Sequence, residues 1–85
     1  MPTFYRQEGF RFFIYSNEHE PPHIHVEKGG GELRFILGSE IEEPYLDRED
    51  SPMKRKDTRR AFDIVKEQQM FLLTKWGEKY EQQNI

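Results

Sequence analysis

All three histidines of this chain, His19, His23 and His25, fall within the seven residues 19-HEPPHIH-25, and that concentration is the strongest chemical signal in the sequence. Imidazole titrates near neutrality, so a group of three can trade protons, hold a phosphate or ligate a metal. On a strand, His23 and His25 share one face with Cα atoms about 6.5 Å apart, close enough for both rings to meet one ligand. In an acid-base pair, one ring takes a proton from an RNA 2′-hydroxyl, the other protonates the leaving oxygen, and Arg34 stabilises the charge building on phosphorus. Such a site, built from His19, His23, His25 and Arg34, is a metal-independent ribonuclease and requires neither metal nor cofactor. A zinc, nickel or iron site would need a third ligand, for which His19, Glu27 and Glu32 are in range, although H-x-H alone does not specify one. The plainer alternative is that the imidazoles fill the half-exposed face of an edge strand, hydrogen-bonded to acidic residues further along.

Two hairpins are needed to position these residues. Thr3 to Arg6 and Phe10 to Tyr15 are β-branched and aromatic runs around Gln7-Glu8-Gly9, the pattern of two antiparallel strands and a tight turn. Pro21 and Pro22 push their neighbours toward extended geometry, so the chain enters His23 already strand-like. With Gly29-Gly30 as a two-residue loop, Val26 faces Leu33, Ile24 faces Phe35, His25 faces Arg34 and Glu27 faces Glu32. A loop one residue longer mixes apolar with polar partners, so burial selects the even register. Ile24 and Val26 then face the core, and His23, His25 and Glu27 lie together on the opposite face.

Residues 38–52 hold six acids, one arginine and two prolines, and read as an irregular connection. After Ser51-Pro52, a candidate N-cap and first helical position, apolar residues at 62, 65, 72, 76 and 80, with a second row at 61, 64 and 71, predict one amphipathic helix from Lys54 to Tyr80. Such a helix is about 40 Å long and overhangs a small sheet, leaving Trp76 and Tyr80 to dock on another chain. Gly77 weakens its end. Lys54, Arg55, Lys56, Arg59 and Arg60 crowd its start, where cations oppose the helix dipole; a bound RNA or DNA phosphate would relieve them, as would the acidic segment just before. Phe4, Tyr5, Phe12, Phe13 and Tyr15 form an aromatic group suited to core packing or to base stacking.

The expected fold is therefore α+β, ββββα: a small four-stranded antiparallel sheet of two hairpins followed by one long C-terminal amphipathic helix, in a single domain over residues 1–85. With 34% hydrophobic but 14% aromatic residues, the core must be aromatic. A net charge of −3 argues against a general electrostatic grip on nucleic acid and confines any such contact to the local cluster. The absence of cysteine excludes disulfides and thiolate zinc sites, and no apolar run reaches the ~20 residues of a membrane span. A cytoplasmic protein is expected, with a homodimer through the helix or sheet edge as one mode of assembly.

Gly9-Phe10-Arg11, 15-YSNEH-19, 21-PPHIHV-26 and a closing helix with Trp76 resemble, over essentially the whole chain, the small bacterial family known as domain of unknown function 4160. The resemblance implies a two-gene arrangement of toxin-antitoxin type, with a small cognate partner protein encoded nearby and RNA as a target. On that basis the expected function is a toxin-like protein acting on RNA through its histidine site. The alternatives are a non-catalytic protein-binding module, antitoxin or adaptor, and a small His/carboxylate metal-binding protein.

Overall fold

Alternating side chains become a five-stranded antiparallel sheet in the computed structural model, which describes residues 3–15 and 19–83 and, within these, not the side chains of Phe4 or of residues 80–83. Strands β1 (Thr3–Gln7), β2 (Phe10–Phe13), β3 (His23–Lys28), β4 (Gly31–Ile36) and β5 (Tyr45–Ser51) lie side by side in chain order, and helices α1 (Arg55–Glu67) and α2 (Gln69–Gln83) follow. Expectations for Ser16 to Glu18, and for the side chains of Phe4 and Tyr80, lie outside the described residues.

The second hairpin has the register that burial selects: Ile24 pairs with Phe35, His25 with Arg34, Val26 with Leu33 and Glu27 with Glu32. Gly29 and Gly30 turn it with φ of 58° and 84°, values that side chains rarely tolerate and that match the right-handed twist of the strands. Phe10, Phe12, Ile24, Val26, Leu33 and Phe35 form the sheet side of the core. Ala61, Ile64, Val65, Leu72 and Trp76 close it from the helices.

Several expectations are corrected. The acidic segment is not wholly irregular, because Tyr45–Ser51 pairs with β4 as a fifth strand, interrupted by two irregularities in register. Ser51 therefore ends a strand instead of capping a helix; the N-cap is Lys54, with no side-chain hydrogen bond to the helix. The single long helix divides at Gln68, where the backbone leaves helical geometry (φ −103°, ψ 14°). The cause lies in the next residue. Gln69 turns inward and its amide clasps the connection after β4: it accepts from Gly38 N–H at 3.0 Å and donates to the carbonyls of Ser39 and Glu42, each at 2.9 Å. Gly38 is obligatory here, since a Cβ would lie 2.0 Å from the Glu42 carbonyl oxygen. Gly77 does not end α2, which runs on to Gln83. Trp76 does not overhang but is buried in the core, so the helix end contributes no tryptophan to a dimer face.

Across the first turn, Glu8 has a positive φ of 54° and its carboxylate takes both arms of the Arg60 guanidinium from α1. That hydrogen bond holds the Glu8 carboxyl well below the usual carboxylate range, at about 2 instead of 4.5. A carboxyl depressed by folding stabilises the fold above its unfolded pKa and loses that contribution as pH falls through the folded one. Acid unfolding of the parent is therefore expected to steepen between 4.5 and about 2, and a Glu8→Gln variant to lack that component. Urea midpoints measured across this range check it, and identical pH slopes for the two proteins would count against the clamp.

Candidate functional site

Period two carries His23, His25 and Glu27 of β3 to the face opposite Ile24 and Val26, as the sequence requires. That face is not open. His23 is 0% and His25 1% exposed. β2 and the residues just after it supply the cover, because their aromatic residues have both parities: Phe12 enters the core while Phe13 and Tyr15 pack on His25. Phe13 stacks on His25 with centroids 5.4 Å apart and planes 21° apart, and Tyr15 meets the same ring edge-on at 4.5 Å. His23 lies edge-on to His25 at 5.4 Å and against Trp76 at 4.8 Å, with its Nδ1 2.9 Å from the Pro21 carbonyl oxygen. The expectation of imidazoles on an accessible face is thus corrected. The strand alternation was right, but an aromatic layer covers the second face too.

The structure brings His23, His25 and Arg34 together but leaves His19 exposed in the loop before Pro21. Arg34, directly across from His25, directs its Nε to Asp47 Oδ2 at 3.2 Å, so a carboxylate already neutralises its charge. The facing pair Glu27 and Glu32 is relieved by separate partners. Glu27 accepts from Arg11 Nε at 3.1 Å, and Glu32 accepts from the Tyr15 hydroxyl at 2.8 Å. The bond to Glu32, with burial and the charges of Glu32 and Asp50, pushes the Tyr15 hydroxyl up to about 12 and keeps it a donor. Arg11 also lies over the Phe13 ring, 4.3 Å from its centroid.

Beyond these, β5 contributes a group that the sequence did not reveal. Asp50 Oδ2 lies 4.0 Å and Glu32 Oε2 3.7 Å from His25 Nδ1. One donor atom from each of these three residues falls within 4.8 Å of the others. Glu32 was within reach of the sequence argument as a neighbour of His25. Asp50 was not, since nothing in 45-YLDREDS-51 shows which acid pairs inward until the register with β4 is known.

At the start of α1, Lys54, Arg55, Lys56 and Arg59 are exposed, whereas Arg60 pairs with Glu8 and Glu67. Among the described residues the acidic connection pairs with none of these five bases; its Glu43 meets Lys66 at 3.5 Å. No helix among the described residues is long and apolar enough to cross a membrane.

A meandering five-stranded antiparallel sheet, with two helices on one face and a buried histidine cluster on the other, defines a small α+β protein. The family model described as Domain of unknown function (DUF4160) matches residues 9–77, and the chain belongs to that family. Comparison with curated proteins and with solved structures found no match.

Proposed function

We propose that the protein is one component of a two-protein system of toxin-antitoxin type and that it acts as a binding module, with β5 as the surface that takes a basic, extended segment of its partner. The observation that carries this reading is the edge itself. β5 ends the sheet, every residue from Tyr45 to Asp50 is exposed, and Ile41, Tyr45 and Leu46 present large apolar side chains to solvent within six residues. An edge strand offers unpaired backbone groups to an added strand, which gives affinity, while alternating side chains give specificity. The six acids of residues 38–52 make a basic segment the complementary one. Imidazole acid-base catalysis on RNA is less well supported, because a 2′-hydroxyl must come within about 3 Å of the proton acceptor and both strand histidines lie beneath aromatic rings.

A second reading rests on Lys54, Arg55, Lys56 and Arg59, whose exposed charges at the start of α1 suit the phosphates of single-stranded RNA. One titration series separates the two. A peptide of alternating lysine and valine is expected to bind the parent and to bind Tyr45→Lys/Glu49→Lys at least ~10-fold more weakly, in line with the loss of a central contact and a charge pair. Single-stranded RNA making four phosphate contacts would lose about 50-fold in affinity between 50 and 200 mM salt. Peptide binding indifferent to the β5 substitutions would refute the edge reading, and RNA binding indifferent to salt would refute the second.

A further inference from the structure

We infer that His25, Glu32 and Asp50 form a binding site for a divalent first-row transition ion, of which zinc is the representative, bridging β3, β4 and β5. The three side chains come from three neighbouring strands and place one donor atom each within 4.8 Å of the others. Neither carboxylate oxygen is within hydrogen-bond reach of His25 Nδ1, at 3.7 and 4.0 Å. Donors held about 2.1 Å from one ion stand roughly 3 to 4.2 Å apart. The two gaps to His25 fall within that range, and the third pair lies within 4.8 Å. The Glu32 and Asp50 side chains keep 18% and 28% exposure, so small rotations of their ends can draw the set tighter while His25 stays fixed between Phe13 and Tyr15.

The surroundings have the form of an outer ligand shell, in which hydrogen bonds orient the groups that hold the ion. The Tyr15 hydroxyl donates to Glu32 Oε2 at 2.8 Å, and Arg48 donates through Nε to Asp50 Oδ1 at 2.6 Å and through Nη2 to Oδ2 at 3.4 Å, with Oδ2 4.0 Å from His25 Nδ1. With Arg34 engaged by Asp47, the two carboxylates and Arg48 sum to one net negative charge beside the imidazole, and a dication reverses it. The donor set also selects the kind of ion. Imidazole suits zinc, nickel, copper and iron, whereas calcium and magnesium take oxygen donors. Three protein ligands with partial exposure leave room for water at a fourth position. The site does not depend on β5 binding a partner, although an ion there would tie the edge strand to the sheet interior.

The test uses the full chain, treated with chelator, dialysed and titrated with zinc chloride at neutral pH by calorimetry, with thermal unfolding in parallel. About one zinc per chain and a higher melting temperature are expected. Asp50→Asn and Glu32→Gln, with unchanged far-UV circular dichroism, should each bind at least ~10-fold more weakly. Glu49→Gln, on the same strand, should bind like the parent. X-ray absorption at the zinc edge of the loaded parent should show a nitrogen and oxygen shell with one imidazole. Zinc uptake below about 0.2 per chain, affinities of the Asp50 and Glu32 variants within ~2-fold of the parent, or a shell without imidazole would each overturn the assignment.

Discussion

Replacing Gln69 with leucine is expected to lower the stability of the fold by about 2 kcal/mol or more, because Gly38 N–H and Ser39 C=O lose their partner at ~1 kcal/mol or more each, while the Glu42 carbonyl keeps the Ser39 N–H at 3.0 Å. The amide of Gln69 meets Gly38 N–H, Ser39 C=O and Glu42 C=O together, and it does so from a buried position just after the helix break. Leucine matches its size but can neither donate nor accept. The connection from β4 to β5 would then lose its attachment to α2, and its Gly38 and Ser39 backbone groups would depend on solvent. Urea unfolding followed by circular dichroism measures the effect. A loss under ~1 kcal/mol would mean that the clasp is incidental. Hydrogen exchange at Gly38 should also quicken in the variant by more than exchange within β3, since the clasp acts on the loop before it acts on the sheet.

Trp76→Ala is expected to be costlier, at about 3 to 5 kcal/mol, the usual range for removing a large buried aromatic side chain. Trp76 belongs to the core cluster and also packs on His23, so its removal leaves a cavity and uncovers an imidazole together. The two consequences can be read separately. Chemical denaturation gives the stability, and carbethoxylation of histidine gives the access: one ring, exposed His19, should react quickly in the parent, and a second should join it in the variant under conditions where the fold persists. An equal number of fast-reacting rings in both proteins would show that Trp76 is not the cover over His23. The milder Trp76→Phe keeps most of the apolar volume and should recover much of the stability.

The second hairpin was legible because two constraints agreed. Gly29-Gly30 allowed a two-residue turn, and only the even register placed Ile24 and Val26 opposite Phe35 and Leu33. The helical region was legible for a similar reason, since apolar residues at 61, 64, 65, 72 and 76 repeat with the helical period and all five are buried. The break at Gln68 was not, because its cause is a hydrogen-bonded contact between Gln69 and residues some 30 positions away. β5 was hidden by its composition: Tyr45–Ser51 has charges at successive positions, an exposed edge tolerates them, and only pairing with β4 makes the segment a strand. The aromatic cover had a trace in 10-FRFFIY-15, whose rings occupy both parities, a pattern that fits a strand buried on two sides.

Local chemistry in the sequence was enough to determine the α+β class, the hairpin register and the shared face of His23 and His25, because turn geometry and the two-residue period act between near neighbours. Tertiary structure alone decided that Phe13, Tyr15 and Trp76 bury those rings, that Arg34 spends its charge on Asp47, and that Asp50 arrives beside His25 and Glu32. The physical reason is that burial and electrostatic pairing depend on which distant segments meet, and that choice follows from the packing of the whole sheet against its helices.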